Sequence, residues 1–170
     1  MTGVITYATE KDVDEIRAVM EIGLAATENK DWYVTDDRAF IERHIAKEGY
    51  ILKYSVDEKI AGFLIVRHPM LAEDNLGRYL DNCKEDLLLK VAHMESAAVL
   101  PEFRGQKIQK KLLMEAEETE HRSGMHYLMC TVHPDNCYSV DNLEQQGYKT
   151  ILETEKYGGL RRRILCKTLV

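Results

Sequence analysis

The run Val99-Leu100-Pro101-Glu102-Phe103-Arg104-Gly105-Gln106-Lys107-Ile108-Gln109-Lys110-Lys111-Leu112-Leu113 combines residue types suited to binding an anion. An apolar stretch stops at a proline. An arginine and a glycine follow, and a helical pattern of apolar positions opens at once. This order predicts a strand, a tight turn and a helix N-terminus. The first turn of a helix leaves backbone N–H groups unpaired and carries partial positive charge. It is therefore a natural seat for a phosphate or pyrophosphate.

The elements that must position this run follow from the flanking pattern. Ile5 to Ala8 reads as a first strand. Thr9 offers an N-cap with Asp12 three residues on, and Val13, Ile16, Met20 and Leu24 follow at helical spacing to about Thr27. A second helix is predicted from Asp36 to Lys47, with Phe40, Ile41 and Ile45 turned inward. Tyr50 to Val56 and Ile60 to Val66 are β-rich runs joined by Asp57-Glu58-Lys59, a hairpin pattern. Met70 to Lys90 is an acidic, partly helical connection, either a binding element or a surface insertion. Val91 to Leu100 is the strand that leads into the motif, and Ile108, Leu112, Leu113 and Ala116 mark one face of the helix after it. Tyr127 to Val132 is apolar on both faces and should be central in its sheet. A short helix fits Asn136 to Gln146, with Gly147 as its C′ residue. Tyr148 to Thr154 and Leu160 to Thr168 close the chain as strands around Gly158-Gly159. This order fits an α/β (α+β) fold in one domain over residues 1–170, a mixed and largely antiparallel sheet with helices on both faces.

Composition narrows the function. The chain has 170 residues, 45% hydrophobic and 31% charged, with a net charge of -6. The acidic balance argues against nucleic acid as a partner. It suits a cationic substrate, or simply a solvated surface. No apolar run approaches the ~20 residues that span a bilayer, so no membrane partner is expected. Met1 to Tyr7 lacks a basic region before a long apolar one, which predicts no signal peptide. Cys83, Cys130, Cys137 and Cys166 form no CxxC pair, which argues against a zinc site or other metal and fits reduced thiols in a cytoplasmic protein. Cys130 and Cys166 lie in apolar strand-like runs and read as packing residues.

Two segments together resemble the GNAT superfamily of acyl-CoA-dependent N-acetyltransferases. Val91 to Ala116 resembles the family's acetyl-CoA signature, Arg/Gln-x-x-Gly-x-Gly/Ala after a strand ending in Val-x-Pro. Here the signature falls on Arg104-Gly105-Gln106-Lys107-Ile108-Gln109. His133-Pro134-Asp135-Asn136-Cys137-Tyr138-Ser139 with Gly147-Tyr148 resembles the family's later block. Lys107 and Gln109 stand where the signature has small residues. The phosphates are held mostly by backbone N–H groups, which any residue but proline supplies, and Lys107 would add a cation. The resemblance implies a sheet of about seven strands. It also implies acetyl-CoA as acyl donor, a primary amine as acceptor, and direct attack in a ternary complex. The acceptor is either a small molecule or amino-acid-like compound, or a protein or peptide. A non-catalytic CoA-binding sensor is the reading from a different class. Oligomeric state is left at monomer or homodimer.

The same resemblance assigns roles along the chain. Backbone N–H groups near Ala97, Ala98 and Val99 would face the developing oxyanion, and the pantetheine would add to this strand's edge. Glu95 on that strand is the candidate base, or else orders substrate or pairs with a cation. His93 has the same strand parity and is either a substrate contact or a structural histidine. The tyrosine that protonates the leaving thiolate in many relatives is replaced by Leu143. Tyr138 is the nearest alternative, and it also fits packing or substrate lining. Asn136 either contacts the pantetheine arm or caps its helix. Trp32 and Tyr33 lie in the region that lines the acceptor pocket in relatives, and also fit surface packing. Arg161-Arg162-Arg163 reads as a solvated edge or as a contact for an acidic partner.

Overall fold

The computed structural model describes residues 2–169. Seven strands hydrogen-bond in the order β1-β2-β3-β4-β5-β7-β6. They are β1 (Val4–Tyr7), β2 (Gly49–Val56), β3 (Lys59–Arg67), β4 (Val91–Val99), β5 (Tyr127–Val132), β6 (Lys149–Lys156) and β7 (Leu160–Thr168). β1–β2, β2–β3, β5–β7 and β6–β7 pair antiparallel and β4–β5 parallel, so the sheet is mixed and largely antiparallel. The helices are α1 (Val13–Ala25), α2 (Arg38–Ala46), the short α3 (Glu85–Leu88), α4 (Ile108–Arg122) and α5 (Cys137–Gln145). None of the helices of the described residues is long and apolar enough to cross a membrane. By contacts the chain divides into two compact units, Met1–Arg67 with Met94–Ala116, and His68–His93 with Glu117–Val170.

In the first unit, the expected α1 start is a single 3-10 turn (Glu10–Asp12) before the α-helix. The Thr9 N–H donates to Asp12 Oδ2 at 2.7 Å, and Lys53 Nζ donates to Asp12 Oδ1 at 2.7 Å. Ile16, Val19 and Met20 of α1 and Ile41 of α2 pack with Ile51, Phe63 and Ile65 of the β2–β3 hairpin. Partly buried Phe40 and Ile45 join this core, as their spacing predicts. Every residue from Ile60 to Val66 is buried, so both faces of β3 are covered. Burial of each large side chain contributes roughly 1.5–3 kcal/mol.

Helix α2 begins two residues later than its pattern predicts. Asp37 is the N-cap, and its carboxylate accepts from the Phe40 N–H at 2.7 Å. Only one of the tandem aspartates can occupy that position, so Asp36 stays outside the helix, where its side chain bonds elsewhere.

In the second unit, Leu76, Val91, Met129, Ile164 and Cys166 form the core. The long 70–90 connection is fastened to it. Asn75, 1% exposed, donates to the carbonyls of Met70 and Leu88 and accepts from the Gly77 N–H. Glu120 of α4 is fully buried, with Oε2 3.0 Å from His68 Nε2. Cys130 and Cys166 are buried, and burial pushes the Cys166 thiol up to about 11 and Cys130 higher still. Neither is a thiolate near neutral pH, as packing residues require.

Candidate functional site

Strand β4 carries the central residues. Its parallel register with β5 covers Val91↔Tyr127, Ala92↔Leu128 and His93↔Met129. From Met94 onward the strand belongs to the first unit. Ala97, Ala98 and Val99 are half-buried. The Leu100 N–H donates to the Ala61 carbonyl at 2.9 Å, and a 3-10 turn over Pro101–Phe103 then redirects the chain. The tight turn of the strand-turn-helix expectation takes this 3-10 form. It begins with the proline, whose fixed φ suits a first helical position. Glu102 Oε1 on its outer side takes Lys59 Nζ at 2.7 Å, and this bond holds the Glu102 carboxyl below its usual range.

Arg104, Gly105, Gln106 and Lys107 are all exposed. Gly105 has φ +80 and Lys107 φ +59. Both lie in the left-handed region, which costs a non-glycine residue roughly 1–2 kcal/mol. This is a physical reason for a small residue at position 107 in the acetyl-CoA signature, and the lysine here adopts the same backbone at that cost. Helix α4 then opens at buried Ile108, with the Lys111 N–H bonded to the Lys107 carbonyl at 3.0 Å. The N–H groups of Ile108, Gln109 and Lys110 precede that first helical bond and have no acceptor within the helix. The first turn contains no acidic residue, and Arg104, Lys107 and Lys110 surround it in sequence. Geometry and charge both fit an oxygen-rich anion such as a pyrophosphate.

The segment before α2 meets β4 through polar side chains. Tyr33 packs against the first unit's core, and its hydroxyl lies 3.1 Å from Ser96 Oγ. Burial raises the Tyr33 phenol above its ordinary value. Asp36 also hydrogen-bonds Ser96. Its carboxyl is pushed up to about 6, chiefly by burial and next by the Glu95 charge, while the Ser96 bond opposes the shift. Ser96 has one hydrogen to give, so the consistent direction is Tyr33 O–H to Ser96 Oγ, and Ser96 O–H to the Asp36 carboxylate. Glu95, the residue before Ser96 on β4, is half-buried. His44 of α2 is fully buried, with Nδ1 2.7 Å from the Phe40 carbonyl oxygen. Burial lowers its pKa and the Glu95 charge partly offsets this. Trp32 ends the 3-10 turn Lys30–Trp32 and is half-buried.

The remaining sequence-predicted residues belong to the second unit. His93 is 3% exposed, and its Nε2 accepts from the Leu76 N–H at 3.0 Å, which fixes the ring to the 70–90 connection. Asn136 caps α5 and accepts from the Ser139 N–H at 3.3 Å. Tyr138 is 80% exposed, whereas Leu143 is buried in the packing of α5. The first unit thus brings together Tyr33, Glu95 and the Ala97–Gln109 run, with Trp32 on the segment before α2. His93, Asn136 and Tyr138 belong to the second unit. Asp36 and Ser96 were missed in the sequence. The available signal was the aspartate pair itself, since a helix start uses one cap and leaves the other carboxylate over.

Residues 16–148 match the acetyltransferase (GNAT) family. The chain belongs to that family, whose class of reaction is acetyl transfer. The solved structures it resembles agree in fold. The ribosomal-protein-S18-alanine N-acetyltransferase of Escherichia coli superposes with a TM-score of 0.75 at 14% identity, covering 98% of this chain and 94% of that one. PaiA N-acetyltransferase of Thermoplasma acidophilum, in complex with coenzyme A, gives 0.72 at 17% identity over 99% and 100%. YncA of Salmonella typhimurium, with its cofactor acetyl-CoA, gives 0.70 at 18% identity over 100% and 95%. No curated protein matches the chain.

Proposed function

We propose that this protein is an acetyl-CoA-dependent N-acetyltransferase acting on a primary amine of a small-molecule or amino-acid-like acceptor. One observation carries the reading. Within one unit, β4 carries Glu95 and leads, through the Pro101–Phe103 turn, to the N–H groups of Ile108 and Gln109, which have no acceptor within α4. A proton acceptor and an anion seat on one continuous segment are what transfer from a CoA thioester to an amine requires.

Acetyl-CoA supplies the activated acetyl group. Arg104 and Lys107 with the backbone N–H groups from Gly105 to Gln109 bind its phosphates. The N–H groups of the Ala97–Val99 stretch stabilise negative charge on the carbonyl oxygen. Glu95 takes a proton from the arriving ammonium, because only the neutral amine is a nucleophile. Nitrogen attacks the carbonyl carbon, the C–N bond forms and the C–S bond breaks. The nitrogen sheds its second proton to water on becoming an amide, and the thiolate draws its proton from water, since the hydrocarbon side chain of Leu143 has none to give. Trp32 and Tyr33 line the acceptor's approach. Asn136 steadies the loop before α5 and is a further cofactor contact in this reading. Tyr138, exposed as it is, and His93 remain candidate contacts for catalysis and acceptor respectively.

The test is release of CoA thiol from acetyl-CoA in the presence of small amines and, in parallel, of short peptides. Faster release with small amines and an acetylated amine product by mass spectrometry is the expected result. Turnover confined to peptides would replace the acceptor class. Binding of CoA without turnover of any acceptor would replace the enzyme reading with that of a CoA sensor.

A further inference from the structure

The segment between α1 and α2 contains one 3-10 turn and is otherwise irregular, yet side chains fasten it at three places. At its start, Lys30 Nζ folds back onto the C-terminus of α1. It donates to the carbonyl oxygens of Leu24 at 2.7 Å, Ala25 at 3.0 Å and Thr27 at 3.4 Å. The last carbonyls of a helix lack donors within it and carry partial negative charge, so a lysine answers both needs. At the segment's end, Asp37 caps α2. In its middle, the Tyr33 hydroxyl meets Ser96 Oγ of β4 at 3.1 Å. Ser96 is 8% exposed, and it also bonds the Asp36 carboxyl. A buried hydroxyl is costly unless it is bonded. Alanine, the residue at 97 and 98, would fill such a position without that cost, so the hydroxyl is accounted for by the segment it holds.

We infer that Ser96 is a positioning residue for the acceptor: it anchors Tyr33 to β4, in a segment that Lys30 and Asp37 fasten at its ends, so that the acceptor meets a preformed wall. This rests on the N-acetyltransferase reading, in which Trp32 and Tyr33 line the acceptor's approach. Ser96 acts through Tyr33 and takes no part in the chemistry. Irregular segments are ordinarily mobile, and a mobile wall must be ordered each time an acceptor binds, which weakens binding. The anchor removes that ordering step in advance. Its effect therefore falls on the acceptor's KM, with the chemical step and the binding of acetyl-CoA left as they are.

Amide hydrogen exchange of the full chain reads the anchor without turnover. The Asp31 N–H donates to Asn29 Oδ1 at 2.9 Å and the Trp32 N–H to the Asn29 carbonyl at 3.1 Å, so both report opening of the segment. Loss of one hydrogen bond makes local opening about 2–10-fold more frequent. S96A is expected to speed exchange at these two amides by that factor and to leave the α1 amides unchanged. In kinetics at saturating acetyl-CoA, S96A is expected to raise the acceptor's KM by about 2–10-fold with kcat within about twofold, and S96T, which keeps the hydroxyl, to restore the KM. Y33F cuts the same bond from its other side. The double variant Y33F/S96A is therefore expected to be no worse than the poorer single variant, as for two groups that act through one interaction. A merely structural serine would lower stability and leave the acceptor's KM where it was. Unchanged exchange in S96A, an unchanged acceptor KM, or additive effects of Y33F and S96A would each overturn the inference. Absence of turnover with every amine would overturn the N-acetyltransferase reading, a result that the exchange arm distinguishes from loss of the anchor.

Discussion

Glu95→Gln is expected to lower kcat by about 10²–10⁴-fold, the usual contribution of a positioned general base. The glutamine keeps the size and the strand position but cannot accept a proton near neutral pH. Binding of acetyl-CoA should persist, because the proposed phosphate seat is the 104–109 loop. Steady-state kinetics with a saturating donor checks this. A kcat within about twofold of the wild type would mean that Glu95 orders substrate or pairs with a cation and removes no proton.

Gly49→Ala is expected to destabilise the fold by about 3 kcal/mol, at the upper end for overpacking a tight site. Gly49 opens β2 and pairs with Arg67 at the far end of β3. A Cβ there would stand 1.9 Å from the Val66 carbonyl oxygen and 2.9 Å from its carbonyl carbon. The obstacle is backbone, so no side-chain rotation relieves it, and the first rung of the β2–β3 ladder must open. Chemical denaturation of the two proteins measures the difference, and heating should show a Tm lowered by about 6–12 °C. A loss under about 1 kcal/mol would show that the strand end absorbs the methyl group by a small shift.

Most of the fold was legible because the patterns that specify it are local. The periodicities of α1, α4 and the β2–β3 hairpin put the expected residues inside, and Tyr127–Val132 occupies the interior strand position that its two apolar faces require. The errors lie at element ends, where a single hydrogen bond decides. Asp36 reads as the first residue of α2 until Asp37 is seen to accept from Phe40. The Pro101–Phe103 turn is too short to leave a periodic signal. The bond from the Leu76 N–H that fixes the His93 ring comes from the 70–90 connection, which strand parity does not foretell.

The site was legible to the extent that chemistry and sequence neighbours coincide. The 104–109 loop is contiguous, so the features that suit an anion, its cations and the helix start after it, show in the residues themselves. Its lysine at 107 looked like a departure from pattern. The left-handed φ there shows what the departure costs and that the chain accepts it. The Tyr33–Ser96–Asp36 chain was not legible, because nothing local ties a serine on β4 to a tyrosine 63 positions earlier.

The central claim is that the chain binds acetyl-CoA on the loop before α4. Thermal unfolding with and without saturating acetyl-CoA tests it most directly. A ligand at about one hundred times its Kd stabilises the folded state by roughly 2.7 kcal/mol, which for a chain of this size raises Tm by about 5–10 °C. The account predicts a rise of that order, reduced in Arg104→Glu, where a carboxylate replaces a phosphate-facing cation. No rise in the wild type would mean that Lys107 and Gln109 have closed the phosphate seat, and would contradict the account.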